Sequence, residues 1–379
     1  MIYLDNAATS FPKPESVLRA VTRCMSQYAG NPGRSGHALS RAASECVYGA
    51  RCAVAELLGG EPEGVVFTKN ATEAIALAIK SFVPEGGSVL ISSFEHNSVY
   101  RTVKSLEKKG VRAFVFEVYP GRCDTLESFR RALSCSPSAV AIIHRSNVAP
   151  ITLPIAEIGK LCKERGIPFV VDASQSAGVC KLDIEKIGAS AICAPGHKSL
   201  YSPQGVGFAL FSKSVSSDKI VPLYEGGSGS ASLSPYMPSD LPERAEAGTL
   251  PLISIAGLKE GIAFVKERGE ENLFEYESKL ISRLACLLDS VRGVRVLGNE
   301  REKSNLLSFT VRNRDSEEIS ALLDKKGICT RAGLHCAPLA HRSLGSIEKG
   351  AVRISVGAFN KMSDIDYCAS AVRDILCCR

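Results

Sequence analysis

Short apolar runs alternate with amphipathic stretches between residues 65 and 211. The apolar runs predict buried strands near residues 65–68, 88–92, 112–118, 139–144, 168–172, 190–194 and 206–211, the last of them antiparallel. Between these strands, apolar positions recur every three or four residues, which predicts helices near residues 71–83, 98–109, 125–134, 155–164 and 183–188. Strand and helix in alternation are typical of a mainly parallel sheet covered on both faces, so we predict an α/β fold.

The pattern differs on either side of this region. Before it, helices are predicted near residues 12–28 and 39–58. After residue 248 the alternation ends, and three helices mix with three short strands, near residues 252–266, 272–291, 294–297, 306–311, 352–356 and 363–376. We therefore predict a large domain over residues 15–255 and a small α+β domain over residues 256–379, with residues 1–14 packing on the small domain.

The composition excludes several classes of function. The net charge is +6 over 379 residues and no run of Lys or Arg resembles a nucleic-acid-binding arm, so no nucleic-acid partner is expected. No apolar stretch approaches the roughly 18 residues of a membrane helix, so no membrane is expected. The 14 cysteines form no Cys-x-x-Cys pair and are scattered through predicted helices and strands. They favour a reduced protein of the cytoplasm over a disulfide scaffold.

Two charged residues are predicted at the same edge of the sheet. Asp172 ends one strand, and Lys198 follows the next strand in the run Ala194-Pro195-Gly196-His197-Lys198. Because the carboxyl ends of parallel strands meet at one edge, Asp172 and Lys198 should face one pocket. Pyridoxal phosphate needs such a pair, a lysine for its aldehyde and a carboxylate for its ring nitrogen. Each residue alone is more often ordinary, a solvated lysine or a helix cap.

A candidate phosphate site lies at the start of the helix predicted from residue 71. The run Asn70-Ala71-Thr72-Glu73 follows a strand directly. Free amides and the positive end of the helix dipole bind anions there, and Thr72 adds a hydroxyl. An ordinary helix cap explains the same residues. The predicted pairing of Asp172 with Lys198 favours the phosphate interpretation.

More polar residues follow strands at this edge. His96 comes after the strand near residues 88–92, and its imidazole can lie flat on a pyridine ring and exchange protons with a substrate. Ser146-Asn147 and Ser174-Gln175 end two further strands and offer hydrogen bonds to the phenolic oxygen of the cofactor. Each alone is more often structural. The convergence of five strand ends on one pocket favours a site.

A cysteine stands between two histidines in a polar loop near the C-terminus. His335, Cys336 and His341 are too few ligands on one short loop for zinc, so no metal is expected. Cys336 is either a buried, inert thiol or a reactive thiol whose pKa is lowered by the neighbouring imidazole.

Two other stretches allow two interpretations each. The Gly- and Pro-rich loop of residues 30–37 contains Asn31, Arg34 and His37, and it either lines a site or forms a surface turn. The final pair Cys377-Cys378 is either a sulfur relay or, more simply, a frayed tail.

With these residues in place, the chain resembles a fold-type I pyridoxal phosphate enzyme of the class V aminotransferase group, and within it the branch of cysteine desulfurases and selenocysteine lyases. The likeness runs nearly end to end. Its motifs are Leu4-Asp5-Asn6-Ala7-Ala8, Thr68-Lys69-Asn70-Ala71-Thr72-Glu73-Ala74, Glu95-His96-Asn97-Ser98, Ser146-Asn147-Val148, Val171-Asp172-Ala173-Ser174-Gln175, Gly196-His197-Lys198, Glu246-Ala247-Gly248-Thr249, Arg331-Ala332-Gly333-Leu334-His335-Cys336-Ala337 and Val352-Arg353-Ile354-Ser355. Their order and spacing are highly specific for the superfamily.

The resemblance implies a set of cofactor contacts. Lys198 bonds the pyridoxal phosphate, Asp172 holds its ring nitrogen, and His96 stacks on its ring. The remaining contacts are implied for Gln175 and Asn147 beside the ring, for Ala71, Thr72 and His197 on the phosphate, and for Thr249 on the phosphate of the partner subunit in a homodimer. Pro195 and Pro150 depart from the family pattern, where a hydroxyl residue and a glycine are common, so one phosphate contact is expected to be absent and one loop altered.

The resemblance also implies a substrate and a reaction. Arg353 binds the substrate carboxylate, with help from Asn147, Arg331 and Asn31. Cys336 takes sulfur from L-cysteine as a persulfide, L-alanine leaves, and a sulfur-acceptor protein receives the sulfur. Selenocysteine is an alternative substrate. Two further functions stay open for the same residues, an aminotransferase or β-lyase reaction in which Cys336 is not essential, and the role of a cofactor-binding sulfur carrier.

Overall fold

The computed structural model describes residues 1–33, 36–299 and 302–377. The chain opens with a two-residue strand, β1 (Ile2–Tyr3), and continues in helix α1 (Glu15–Arg23), which passes into a π-helical turn over Cys24–Tyr28. Helix α2 (Ala38–Leu58) follows. The helix predicted from residue 12 thus begins three residues later, after Pro14, because a proline suits the entrance of a helix better than its interior.

A seven-stranded sheet forms the centre of the molecule. Its strands are β2 (Val65–Thr68), β3 (Ser88–Ser92), β4 (Arg112–Phe116), β5 (Ala139–Ile143), β6 (Phe169–Asp172), β7 (Ala191–Pro195) and β8 (Gly207–Phe211). They lie in the order β2-β8-β7-β6-β5-β3-β4. Strands β3 to β7 pair in parallel, whereas β8 is antiparallel to both β7 and β2. The predicted α/β fold with a mainly parallel sheet is confirmed.

Helices cover both faces of this sheet. They are α3 (Ala71–Phe82), α4 (Asn97–Glu107), α5 (Arg122–Ala132), α6 (Ile155–Glu164) and α7 (Ile184–Ile187). Successive side chains of a strand point to opposite faces, so Leu90 enters one hydrophobic cluster and Val89 enters another. Both faces of the sheet are buried, which explains why the strands are continuous apolar runs rather than alternating ones.

The C-terminal part builds a second, smaller core. Its elements are α8 (Leu252–Arg268), α9 (Glu270–Asp289), β9 (Val294–Leu297), β10 (Leu306–Val311), α10 (Ser316–Lys325), β11 (Ile328–Cys329), α11 (Pro338–Ser343), β12 (Val352–Ser355) and α12 (Met362–Cys377). Strands β12, β10 and β9 form an antiparallel sheet that packs on α9 and α12. The sequence analysis did not predict α10, β11 or α11. The last two have only two and six residues, whereas α10 has ten.

The N-terminal segment packs on this second core. Strand β1 pairs in parallel with β11, and Leu4 is fully buried in the C-terminal cluster. The boundary predicted near residue 255 falls inside α8, whose first apolar residues join a cluster of the central sheet. The division into domains therefore stays a prediction. Across the described ranges, none of the helices combines the length and the apolar character needed to span a bilayer.

Candidate active site

A cavity of about 190 Å³ opens at the carboxyl edge of the central sheet. It is lined by most of the residues that the sequence singled out, namely Ala71, Thr72, His96, Asn147, Asp172, Gln175, His197, Lys198, Arg331 and Arg353. The N-terminal residues Ala7 and Ala8 line one side. His335 lines another, and it belongs to the loop that carries Cys336, which we call the cysteine loop. The predicted convergence of strand ends on one pocket is observed.

Lys198 and Asp172 face this cavity from neighbouring strands. Asp172 ends β6, is almost fully buried, and accepts a hydrogen bond from the amide of Ser174 at 2.8 Å. Burial lowers the pKa of Lys198 to about 8, although the carboxylate of Asp172 raises it. Much of the amine is therefore neutral near pH 8, which is the form that attacks a carbonyl carbon or accepts a proton.

The N-terminal segment holds the turn that carries Lys198. The carbonyl oxygen of His197 accepts from the amide of Ser10 at 3.0 Å, the hydroxyl of Thr9 at 3.1 Å and the ammonium of Lys13 at 3.1 Å. The hydroxyl of Ser10 also donates to the carbonyl of Lys198 at 2.8 Å. We call Thr9, Ser10 and Lys13 the N-terminal clamp. Sequence reasoning missed it, because nothing in the local pattern links these residues to a turn so distant along the chain.

The start of α3 has the features of an anion site. The side chain of Asn70 accepts from the amide of Glu73 at 3.0 Å, so the amides of Ala71 and Thr72 precede the capped one, where a helix supplies no internal acceptor. A Cβ on Gly207 would lie 2.5 Å from the carbonyl carbon of Asn70. Only glycine therefore lets β8 pass so close to the start of α3.

His96 is connected to the start of α3 by hydrogen bonds through Ser98. Its Nδ1 accepts from the amide of Ser98 at 3.0 Å and lies 2.8 Å from the hydroxyl of Ser98, which is itself 2.8 Å from the hydroxyl of Thr72. Burial, together with the charge of Lys198, lowers the pKa of His96 to about 4. The imidazole is therefore neutral, and because Nδ1 is an acceptor the proton resides on Nε2.

Glu95, the residue before His96, bonds two strand ends near the cavity. It is fully buried, and its carboxyl group accepts from the amide of Ile143 at 3.0 Å and from the hydroxyl of Ser92. Burial raises the pKa of Glu95 to about 8. The group thereby joins the ends of β3 and β5, the two strands whose loops carry His96 and Asn147.

Arg353 lines the cavity from strand β12. Its guanidinium donates to Asp5 Oδ1 at 2.7 Å and to the carbonyl of Asn147 at 3.0 Å. Asp5 was also not predicted as a site residue, although it lies in the motif Leu4-Asp5-Asn6-Ala7-Ala8. Arg331 lies beside Arg353, because their backbones exchange hydrogen bonds of 3.2 and 2.7 Å.

Polar atoms without a partner surround the cavity. Nδ1 of His197, Oδ1 of Asn147 and Nε of Arg353 are buried and make no hydrogen bond. Such atoms are rare in folded proteins and call for a bound polar group. Gln175 is partly engaged, since its Nε2 donates to the carbonyl of Ala7 at 3.0 Å. Together with the carboxylate of Asp172, these donors and acceptors suit a ligand that carries a phosphate, a ring nitrogen and a carboxylate.

Cys336 lies outside the cavity lining, on a loop next to it. The residue is exposed, so the interpretation of a buried, inert thiol is wrong. His335 and Cys336 have φ of 50° and 56°, a left-handed pair of non-glycine residues. Their carbonyls accept from Asn147 Nδ2 at 2.7 Å and from the amide of Asn97 at 2.6 Å.

The imidazole of His335 is not free to bond the thiol of Cys336. Its Nδ1 lies 3.1 Å from Nε2 of His341, and its Nε2 lies 3.2 Å from the carbonyl of Arg331. The predicted effect of this imidazole on the thiol is therefore not supported by a hydrogen bond. No group of three or more His, Cys, Asp or Glu side chains within the described ranges is arranged to hold a metal ion.

The departures from the family pattern have local consequences. Pro195 ends β7 and lines the cavity, where it offers no hydroxyl to an anion. Pro150 lies in a tight turn, across which the amide of Ile151 donates to the carbonyl of Ala149 at 2.7 Å.

Two predicted site residues lie elsewhere on the chain. Asn31 and Thr249 line a second pocket of about 380 Å³. Its wall includes a buried ion pair, in which Arg51 donates to Glu246 at 2.8 Å. Within one chain these residues do not reach the cavity of Lys198. Cys377 is exposed at the end of α12, and Cys378 lies outside the described residues.

Comparisons with known proteins agree along nearly the whole chain. A probable cysteine desulfurase of Methanothermobacter thermautotrophicus is 31% identical over 379 residues, which cover 99% of this chain and 94% of the relative. A cysteine desulfurase of Haloferax volcanii is 31% identical over 384 residues, covering 98% and 88%.

A solved structure agrees with the fold. The apo structure of a cysteine desulfurase from Thermococcus onnurineus NA1 has a TM-score of 0.91 at 30% identity, covering 99% of this chain and 94% of that one. The family profile described as "Aminotransferase class-V" matches residues 2–368. The resemblance found in the motifs is thereby confirmed, and the chain belongs to the class-V aminotransferase family.

Proposed function

We propose that the protein is a pyridoxal-phosphate-dependent cysteine desulfurase, which converts L-cysteine to L-alanine and keeps the sulfur as a persulfide on Cys336. One observation carries this proposal. An exposed thiol stands on a left-handed turn, and its neighbours His335 and Arg331 line the cavity that contains Lys198, Asp172 and Arg353. The names of the relatives point to the same reaction.

The cavity residues fit the cofactor. Bound pyridoxal phosphate supplies an aldehyde that bonds amines and a ring that takes up an electron pair from the substrate's α-carbon. Ala71, Thr72 and His197 would hold its phosphate, and Asp172 would hold its ring nitrogen. The unpartnered Nδ1 of His197 supports this assignment, because a phosphate oxygen can accept its hydrogen bond.

The protein's own groups have separate tasks in the reaction. Arg353, held by Asp5, binds the substrate carboxylate, and its unpartnered Nε supports that role. The neutral amine of Lys198 accepts the proton from the α-carbon. The neutral imidazole of His96, which carries its proton on Nε2, orients the bound groups.

The thiolate of Cys336 then attacks the sulfur atom of the substrate. A sulfur–sulfur bond forms while the carbon–sulfur bond breaks, and its electron pair stays on the substrate carbon. That carbon takes up a proton, so cysteine and the enzyme thiol become alanine and the enzyme persulfide. An acceptor protein with a free thiol would remove the sulfur. Selenocysteine fits the same residues.

We infer that the working unit is a homodimer. Asn31 and Thr249 share a pocket apart from the Lys198 cavity, which fits residues that complete a partner's site. Exposed apolar side chains, Leu18, Leu39 and Ile253, lie on α1, α2 and α8. Sedimentation equilibrium should give about twice the 40.4 kDa of one chain. A fully active monomer would contradict the inference.

The environment we propose is the cytoplasm. Every cysteine in the part of the chain that the structure describes carries a free thiol. Free thiols on exposed positions persist in reducing compartments.

The proposed reaction is tested by its product. Purified protein with bound cofactor should release alanine from L-cysteine, in amounts that match the sulfur recovered as sulfide in the presence of a reductant. Lys198→Ala is the control and should release none, because its cavity keeps the binding groups but lacks the amine. Pyruvate instead of alanine would favour a β-lyase reaction, and a keto acid formed with an amino acceptor would favour transamination.

A further inference from the structure

A series of hydrogen bonds runs from Ser346, which follows α11, through His341 of that helix to the loop that carries Cys336. The hydroxyl of Ser346 lies 2.8 Å from Nδ1 of His341, and Nε2 of His341 lies 3.1 Å from Nδ1 of His335. Nε2 of His335 ends the chain, 3.2 Å from the carbonyl oxygen of Arg331. All three side chains are buried, and His341 is fully so. We call Ser346, His341 and His335 the imidazole chain.

The donor and the acceptor of each hydrogen bond in the imidazole chain follow from its last bond, to the carbonyl oxygen of Arg331. A carbonyl oxygen can only accept, so Nε2 of His335 carries a proton and its Nδ1 is an acceptor. Nε2 of His341 must then donate, which leaves Nδ1 of His341 to accept from the hydroxyl of Ser346. Burial lowers the pKa of His335 to about 3 and that of His341 to about 4, so both rings stay neutral as this order requires.

The imidazole chain ends at the left-handed turn of His335 and Cys336. His335 and Cys336 are successive non-glycine residues with positive φ, a conformation that persists only where its surroundings fix it. Asn147 and Asn97 fix the two carbonyls from the side of the central sheet. The ring of His335 is fixed from the other side by His341. Without that donor, Nδ1 of His335 would be a buried acceptor with no partner.

We propose that His341 is a positioning residue that holds the turn of Cys336 in its reactive geometry through the ring of His335. The inference rests on the proposed function, since it assigns the turn a part in sulfur transfer. His341 does not line the cavity. It acts on the step that Cys336 performs and leaves the earlier steps, which use Lys198 and Arg353, unchanged.

The test separates two steps of one turnover. The change that cysteine produces in the visible spectrum of the bound cofactor reports the steps before sulfur transfer. Rapid quenching followed by mass spectrometry of the peptide containing Cys336 reports the persulfide. In His341→Leu, the rate of the spectral change should stay within about twofold of the wild-type rate. Persulfide formation should slow by about tenfold to hundredfold, which is the effect of displacing a reacting group by about 1 Å. His341→Gln, whose carboxamide still donates, should recover most of the rate.

Matched variants exclude a general defect. Leu339→Ala truncates a buried side chain of the same short helix without touching the imidazole chain, and it should keep both rates in the wild-type ratio. Ser346→Ala removes only the outer donor and serves if His341→Leu does not fold, with an expected slowing of about threefold. Nitrogen-15 spectra of the unmodified protein should show Nε2–H on both rings. A proton on Nδ1 of either ring overturns the proposal.

Two failures are distinguishable. If His341→Leu forms the persulfide at the wild-type rate, or slows both steps equally, while Cys336→Ala makes no alanine, the positioning role is wrong and the proposed function stands. If Cys336→Ala makes alanine at the wild-type rate, the proposed function is wrong and the positioning role falls with it.

Discussion

Lys198 is buried among charges of both signs, and their balance sets its chemistry. Burial lowers its pKa to about 8, Asp172 raises it, and Arg353 and Arg331 lower it. A lowered pKa means that the neutral, nucleophilic amine dominates above pH 8, whereas an ordinary lysine reaches that state above about pH 10. The residue is thus prepared by its surroundings before any ligand arrives.

This balance predicts a pH dependence for cofactor capture. The rate at which cofactor-free protein bonds pyridoxal phosphate should rise with pH through a midpoint of about 8, because only the neutral amine attacks. Asp172→Asn removes the charge that raises the pKa, so its midpoint should lie lower. Stopped-flow absorbance across a pH series measures both. A midpoint above that of the unmodified protein in Asp172→Asn would contradict this electrostatic account.

Arg353 lines the cavity from β12, outside the central sheet. Its guanidinium is buried and paired with Asp5, which comes from the opening segment of the chain. An unpaired charge at this depth would be costly, so Asp5 stabilises the arginine and also directs it toward the cavity. The sequence contains both residues within family motifs, but only the fold reveals their contact.

Among the elements, the N-terminal segment contacts both cores. Strand β1 pairs with β11 of the smaller core, whereas Thr9, Ser10 and Lys13 bond the turn of Lys198 in the larger part. The segment thereby links the contacts that hold Arg353 to those that hold the turn of Lys198. Movement of one core relative to the other would therefore change the contacts of both Arg353 and Lys198.

The N-terminal clamp gives a prediction at this scale. Lys13→Met removes an ammonium that donates to the carbonyl of His197 and to the hydroxyl of Ser10, while Ser10 and Thr9 still bond that carbonyl. We expect a loss of about 1 kcal/mol of stability and faster dissociation of the cofactor, by about fivefold. Thermal unfolding and dialysis followed by absorbance measure these effects.

An exposed lysine provides the control for this variant. Lys108→Met removes the same charge from the solvent-exposed end of α4, away from the cavity, and should leave both quantities unchanged. Equal cofactor retention in Lys13→Met and the unmodified protein would show that the clamp does not support the Lys198 turn.

At the scale of the whole molecule, the apolar pattern predicted the central sheet and much of the cavity. Apart from the edge strand β4, each strand of the central sheet is a buried run bounded by polar residues, so its carboxyl end, and with it Asp172 or Asn147, is visible in the sequence. Helix α11 was missed because six residues carry no sustained repeat. Helix α10 was missed although its apolar residues Ile319, Leu322 and Leu323 have helical spacing. The contacts of Asp5 and Lys13 were missed because long-range pairing leaves no local signal. The exposure of Cys336 is equally a property of its turn, not of its neighbours in sequence.

The central claim is that Cys336 receives sulfur from cysteine, and one measurement tests it directly. Wild-type protein and Cys336→Ala are mixed with a single equivalent of L-cysteine, quenched, and analysed for alanine and for the mass of the peptide around residue 336. We predict one added sulfur atom on Cys336 per alanine in the wild type. In Cys336→Ala we predict an intact spectral response to cysteine and alanine formation reduced by at least about 10³-fold. Wild-type alanine formation by Cys336→Ala, or sulfur found on another cysteine instead, would contradict the account.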